Sequence, residues 1–346
     1  MASSSANLSS ALHNGSSCLP HLLSPTANMV LAIFYTALLV FSALGNSLAL
    51  RLAFQKGRKI NSTDVYLVHL AMSDLLFTLV LPGRIVYYAL DSNWPFSEGL
   101  CRLTALIFFT NTYGSLYLMA CVSVDRYLAV VRDCRGPQLR STGRARLVCA
   151  AVWTLVLLES VPLLWAPMTK AMAGRLTCME YVSVQPILGL PLVVLAACAL
   201  SFCGPVGTIL LCYVKITLKL CRTAQQNPLV GERGHHHRAY LLTLAVLMAT
   251  VVCFSPYHLI VIQFMAREAL RPQSCAEQRA FEVSLRVTAL LMNTNCVVDP
   301  VIYFFASTRY RKWLLGILRP RASSPSSSPG EGSTGTPGIT QARGSV

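Results

Sequence analysis

The sequence predicts an all-α membrane protein: a seven-transmembrane helix bundle with a short amphipathic eighth helix. Three observations predict it. The chain of 346 residues is 54% hydrophobic and only 12% charged, whereas a soluble domain carries about 25% charged residues. Its apolar residues fall into seven stretches, each long enough to cross a bilayer core as a helix, which takes roughly 20 residues. The cations gather between those stretches and do not line one soluble face. The net charge of +15 therefore reads as membrane topology and argues against a nucleic-acid partner.

The N-terminal segment, residues 1–27, is rich in Ser, Asn and Ala and carries two sequons, Asn7-Leu8-Ser9 and Asn14-Gly15-Ser16. An uncharged tail with two sequons predicts an extracellular, glycosylated segment with Asn7 and Asn14 as acceptors. No Asp, Glu, Lys or Arg precedes Arg51. A basic n-region is lacking, so the first apolar helix is expected to be its own insertion signal. A third sequon, Asn61-Ser62-Thr63, falls in a basic loop expected in the cytosol and unused.

Seven helices are expected near residues 28–54, 63–90, 98–131, 143–165, 188–221, 236–267 and 279–305. The second, fourth and seventh contain Asp74, Glu159 and Asp299. Of the 29 basic residues, 20 lie in the connections after the first, third and fifth helices or beyond the seventh. By the positive-inside rule this places the N-terminus outside and the C-terminus in the cytoplasm, as in a multi-pass plasma-membrane protein. Residues 306–318 mix Arg309, Arg311 and Lys312 with Tyr310, Trp313, Leu314 and Leu315. That composition suits an amphipathic helix at the inner interface. Residues 319–346 are rich in Ser, Pro and Gly and read as a disordered cytoplasmic tail.

The third stretch has no charged residue from Leu103 to Val124 and then ends in Asp125-Arg126-Tyr127. A charge near the centre of an inserted helix costs roughly 2.5–3.5 kcal/mol. Two readings of Arg126 are open on the residues alone: a boundary charge facing the cytosol, or a switch between helices. The other helices decide between them. Gly45-Asn46 lies in the first, Leu70-Ala71-Met72-Ser73-Asp74 in the second and Trp153 in the fourth. Pro205 and Tyr213 mark the fifth, Cys253-Phe254-Ser255-Pro256 the sixth, and Asn295 with Asp299-Pro300 and Tyr303 the seventh. In this order and spacing the chain resembles the rhodopsin-like (class A) G-protein-coupled receptors over about residues 28–318.

The resemblance implies a set of roles. Asp125, Arg126 and Tyr127, with Tyr213 and Tyr303, form the switch toward the G protein. His236 stands where many members carry an acid that restrains the arginine, so weak resting restraint is expected. Asp74, Ser115, Asn295 and Asp299 are implied as oxygen donors for Na⁺. The alternative for Asp74 is a protonated, hydrogen-bonded acid, since neighbouring carboxylates repel. Pro256 removes a backbone hydrogen bond and is expected to bend the sixth helix. Phe254 and Thr250 replace the aromatic pair common there. A Cys101–Cys178 bridge follows from the resemblance. A Cys18–Cys275 bridge is expected because outer thiols do not usually stay free. The other cysteines mostly lie in apolar stretches as small packing residues. A heterotrimeric G protein, expected to be of the inhibitory Gi/o class, arrestin and receptor kinases are the implied partners.

Within the family the chain most resembles the chemotactic oxysterol receptors. Leu81-Pro82-Gly83-Arg84, Asn111-Thr112-Tyr113, Thr177-Cys178-Met179-Glu180 and Phe254-Ser255-Pro256-Tyr257-His258 carry that likeness, with Arg222 to Leu229 on the inner side. It implies Arg84, Tyr113 and Tyr257 as contacts to a hydroxylated sterol. Phe109 stands where those receptors have a Tyr, so one hydroxyl is lost there. Asp91 or Glu180 is the alternative partner for Arg84. Core packing is the plain alternative for the two tyrosines. A nucleotide needs several converging cations, and Arg84, Arg102, Arg267 and Arg286 are the candidates.

Other classes fit less well. A transporter predicts internal repeats, and none is found. An enzyme needs a nucleophile–base pair or a metal cluster; His235-His236-His237 is a run in a basic segment, without helical ligand spacing. A retinal protein needs a Lys in the seventh helix, and Val287 to Phe305 has none. No enzymatic activity and no resident cofactor are expected, apart from Na⁺ as an allosteric ion.

Overall fold

The computed structural model describes residues 23–55, 60–131, 140–172, 174–179, 190–226, 233–271, 273–306 and 308–318. Seven helices in it are long and apolar enough to span a membrane: Pro25–Ala53, Ser62–Ala89, Glu98–Val130, Thr142–Leu164, Pro191–Thr223, Tyr240–Leu270 and Cys275–Ala306. They are helices one to seven below. An eleven-residue helix, Thr308–Leu318, follows the seventh. Asn7, Asn14 and Cys18 lie outside the described residues.

Short polar residues fix several of the entries. Ser24 accepts from Ala27 N–H and Pro25 occupies the first turn of helix one. Ser97 and Ser141 accept from Leu100 and Arg144 N–H at helices three and four. Asn61 with Asp64, and Ser274 with Glu277, form reciprocal capping boxes at helices two and seven. Each cap satisfies backbone donors that the helix itself leaves free. Helix seven therefore starts at Cys275, a turn before the apolar pattern that places its start near residue 279. Helix six likewise runs within a longer helix whose start, Arg233, precedes the expected one.

Helix three is the centre of the bundle. It packs against helices two, four, five and six, and 67% of its most apolar window is buried, against 17% for helix four. Helix four is the peripheral one and turns most of its surface to lipid. Trp153 Nε1 still ties it to His69 of helix two at 3.1 Å.

Helices one and seven are joined by Asn46. Its amide donates to the Cys296 carbonyl at 2.9 Å, and its oxygen accepts from the Tyr303 hydroxyl at 3.0 Å. Gly45, beside it, permits the approach: a Cβ there would come to 2.6 Å from Pro300 Cγ.

The helices with prolines are locally rewound. A π turn, Ala199–Cys203, precedes Pro205 in helix five, and another, Thr250–Phe254, precedes Pro256 in helix six. Proline removes a ladder hydrogen bond, and a π turn is one way a helix absorbs the defect. Helix seven is interrupted at Thr294, between Cys275–Asn293 and Asn295–Ala306.

One short element lies outside the helical bundle. Between helices four and five lies a β-hairpin of β1, Thr169–Met172, and β2, Arg175–Cys178, paired antiparallel with Thr169 opposite Cys178. Gly174 takes φ +78° in its turn, a conformation open to glycine. The hairpin is held twice. Cys178 is bridged to Cys101 of helix three. The Glu98 carboxylate accepts the Met168 N–H at 2.8 Å, the Thr169 N–H at 3.0 Å and the Thr169 hydroxyl.

The contact at Gly45 yields a stability prediction. Gly45→Ala forces helix one from helix seven, and overpacking of this kind costs about 1–3 kcal/mol. The expected reading is a lower thermal midpoint for the solubilised protein. A midpoint equal to wild type would show that Pro300 yields without cost.

Candidate functional site

The polar groups of the bundle form three clusters at three depths. At the end carrying Asp125, one buried carboxylate organises its surroundings. Asp125 Oδ2 accepts from Arg126 at 3.0 Å, the pair that the sequence places there. Arg140 also donates to both oxygens, Nε to Oδ1 and a terminal nitrogen to Oδ2, each at 3.1 Å. The hydroxyls of Ser62 and Thr63, at the start of helix two, donate to Oδ1 and Oδ2. Two guanidinium groups and two hydroxyls thus converge on one acid. Arg126 Nε is buried with no hydrogen-bond partner among the described residues.

The tyrosines grouped with Arg126 by resemblance are engaged elsewhere. Tyr213 lies 3.3 Å from the Tyr240 hydroxyl, and Tyr303 donates to Asn46. Tyr127 lies under Lys215, whose Nζ is 5.6 Å from the ring centre. His236 belongs to the helix Arg233–Ala249, and its side chain falls outside the described residues.

At mid-depth, Asp74, Ser115 and Asp299 are fully buried and Asn295 nearly so. Asp74 Oδ1 accepts from Asn111 Nδ2 at 3.0 Å, and the same amide lies 3.4 Å from Ser115 Oγ. Asp74 Oδ2, both Asp299 oxygens and Asn295 Nδ2 have no hydrogen-bond partner among the described residues. Four such atoms in one buried layer are costly unless a proton, an ion or water completes them. The residues present are oxygen-rich, so they suit a hard cation. Among the described residues no three His, Cys, Asp or Glu side chains group as a transition-metal site would require.

Toward the hairpin, Arg84 donates to the Cys178 carbonyl at 3.1 Å and to the Tyr88 hydroxyl at 3.0 Å. Its guanidinium also lies 5.2–5.8 Å from the ring centres of Tyr35, Tyr87 and Tyr88. Asp91, one expected partner of Arg84, instead faces Arg175 at 3.9 Å. Glu180, the other, lies outside the described residues.

A second aromatic group centres on His258. Phe109 stacks on Tyr113 at 6.4 Å, and Tyr113 meets His258 edge-on at 5.8 Å. Phe202 stacks on the same imidazole at 4.2 Å, and Tyr257 approaches it at 5.3 Å. His258 Nδ1 is 2.9 Å from the Phe254 carbonyl. With that nitrogen donating, Nε2 is an acceptor, and it is buried with no hydrogen-bond partner among the described residues. Arg286 is half-buried on helix seven. Cys101 and Cys178 are bridged. Cys275 is also disulfide-bonded, and Cys18, its expected partner, lies outside the described residues.

Seven spans, an Asp-Arg pair closing helix three and a bridged hairpin over the opposite end together constitute one architecture. The sequence model of the family described as "7 transmembrane receptor (rhodopsin family)" matches residues 45–303. This chain belongs to that family. It is a G-protein-coupled receptor, a multi-pass protein of the plasma membrane, and its family is one of receptors and not of enzymes. The chain is 40% identical to the human G-protein coupled receptor 183 over 317 residues, covering 91% of this chain and 88% of that protein. The mouse protein of the same name is 39% identical over 315 residues, with 90% and 88% covered. The mouse uracil nucleotide/cysteinyl leukotriene receptor is 34% identical over 294 residues, 85% of this chain and 84% of that one. Coupling to heterotrimeric G proteins and response to a small-molecule ligand are properties of the family.

Several residues of the receptor's clusters carry no assigned role in the sequence reading: Arg140, Ser62, Thr63, Asn111, His258 and Glu98. Signals existed for most. Ser62 and Thr63 lie in the third sequon, and Asn111 and His258 lie in the runs that carry the resemblance.

Proposed function

We propose that this receptor detects a hydroxylated sterol and passes the signal to a Gi/o-class G protein, with its N-terminus extracellular and its C-terminus cytoplasmic. The observation that carries the ligand class is the pairing of one arginine in an aromatic surround with a second, mostly apolar group. That second group holds two phenols, Tyr113 and Tyr257, and the bare imidazole nitrogen of His258. Apolar walls suit the fused rings, and a few polar atoms suit scattered hydroxyls. Phe109 leaves one side of that group without a hydroxyl, which favours a sterol with a different oxidation pattern from those the related receptors take.

A nucleotide is the second reading, because a relative's name includes one. Polyphosphate requires several cations aimed at one point. Arg102, one of the four candidates, is committed to Glu98 at 2.9 Å and to the Leu164 carbonyl at 3.0 Å. That favours the sterol.

Asp125 and Arg126 act as the resting pair of the switch. On activation Arg126 leaves Asp125 and meets the G protein, with Tyr213 and Tyr303 turning to it. Arrestin and receptor kinases engage the same end afterwards. Na⁺ in the Asp74, Ser115, Asn295 and Asp299 layer, with Asn111 as an added donor, stabilises the resting bundle by neutralising two facing acids.

Three measurements test this reading. In membranes expressing the receptor, inhibition of cAMP formation is expected for oxysterols and not for nucleotides. Arg84→Ala removes a charge-assisted hydrogen bond worth about 1.5–3 kcal/mol, so half-maximal response moves up about ten- to hundredfold. A nucleotide response that Arg84→Ala leaves unchanged overturns the assignment. Replacing Na⁺ by an organic cation at constant ionic strength is expected to raise ligand-free nucleotide exchange in wild type and to do nothing in Asp74→Asn. A sodium response that survives in that variant excludes this layer as the site. Ligand-free exchange is further expected to rise severalfold in Asp125→Asn and to fall in His236→Glu, which returns an acid to the base of helix six. Arg140→Ala leaves Arg126 an undivided carboxylate and lowers it too. Unchanged basal exchange in all three variants removes the pair from the switch.

A further inference from the structure

We propose that Tyr240 is a positioning residue of the switch: its hydroxyl, bonded to Tyr213, holds the Asp125 end of helix six against helix five at rest and is released when helix six bends. The two phenol oxygens lie 3.3 Å apart. Their rings are tilted by 31° with centres 5.8 Å apart, so ring packing and a hydroxyl bond join the same two side chains. Tyr213 is the fixed partner. On the next turn of helix five, Ile216 is fully buried against Val130 of helix three, with Tyr127, Val131 and Leu220 packed around them. Lys215 of helix five also lies over the Tyr127 ring. Helix five is therefore secured to helix three at this level.

Tyr240 sits on the movable side. It opens helix six, and the π turn Thr250–Phe254 begins further along the same helix, about 15 Å away at 1.5 Å per residue. At and beyond that turn helix six is tied to helix seven: Cys253 Sγ lies 3.6 Å from Thr294 Oγ1, and Phe264 stacks on Phe281 at 3.8 Å. The Thr250 and Ser255 hydroxyls donate to the Val246 and Thr250 carbonyls at 2.9 and 3.2 Å. Those bonds are local to helix six and travel with it. Sharp bends in helices concentrate at prolines and π turns, and Pro256 adjoins this one. A bend of about 10° at the turn carries Tyr240 about 3 Å, and a hydroxyl bond does not survive that displacement. The Tyr213–Tyr240 bond thus spans the joint between a secured helix and a bending one. The freed Tyr213 hydroxyl is the one that turns to Arg126, a step that rests on the reading given above. Tyr240 and Arg126 are successive partners of one phenol.

The test uses full-length receptor in lipid nanodiscs without added ligand. Deuterium uptake of residues 240–249 is read by mass spectrometry, and nucleotide exchange is read on an added Gi/o heterotrimer. Tyr240→Phe and Tyr213→Phe keep both rings and delete one hydroxyl each. Tyr240→Phe is expected to raise uptake and to raise ligand-free exchange about two- to tenfold, the range of one hydrogen bond. Tyr213→Phe is expected to raise uptake equally without raising exchange, because the hydroxyl that turns to Arg126 is gone. The double variant is expected to take up no more deuterium than either single one, since the two hydroxyls form one bond. A merely structural role would move uptake and exchange together. Unchanged uptake in Tyr240→Phe, or increments of uptake that add in the double variant, overturns the proposal. So does unchanged exchange in Tyr240→Phe where the wild-type receptor is active. Exchange that rises equally in both single variants supports the restraint and removes Tyr213 from the Arg126 contact. Silence toward the G protein in every form, with the uptake pattern intact, overturns the Gi/o assignment and supports the restraint.

Discussion

The carboxylate of Asp125 is the junction on which the inner half of the bundle depends. It is almost fully buried, and everything around it is arranged to answer one negative charge. Helix two contributes hydroxyls from its first turn, helix three its own arginine, and the segment before helix four a second arginine. A buried charge without partners is expensive, and one with excellent partners is tolerated. Three parts of the chain are thereby fixed relative to one another by one atom pair. Arg126 is left only partly committed, with a nitrogen lacking a hydrogen-bond partner among the described residues. That is the condition a movable cation needs: held, but not by all of its donors.

The same rule, that polar groups within a bilayer find partners inside the protein, explains where the seven helices touch. Asn46 satisfies its amide on helix seven, Trp153 on helix two, and Asn111 on Asp74. Among the described residues, bare buried atoms remain in the Asp74–Asp299 layer and at His258, where an ion and a ligand are proposed to enter, and also on Thr110, Arg126, Ser160 and Glu268. The π turns lie in helices five and six, whereas helix three itself is uninterrupted.

Much of this was legible in the chain. Membrane spans follow from composition alone, because lipid tolerates so few alternatives. Asp125 with Arg126, Asn46 and Asp74 are marked as polar residues in apolar runs. Other features were not legible, for identifiable reasons. Arg140 is one of many arginines in basic connections, where charge reports topology and not partner. The β-hairpin has four-residue strands with no sustained alternation, and its stability comes from a distant carboxylate and a bridge. Pro205 and Pro256 signal a disturbance, but the π geometry that absorbs it depends on neighbouring helices. Helix seven began earlier than its apolar pattern because a capping box carries a helix beyond the membrane boundary.

The hairpin has a consequence for how the outer cluster senses its surroundings. Arg84 donates one of its hydrogen bonds to the backbone oxygen of Cys178, the residue bridged to helix three. The covalent link and the cation proposed to orient the ligand therefore share an atom's position. The proposed contact of Arg84 with a ligand therefore rests on the Cys101–Cys178 bridge.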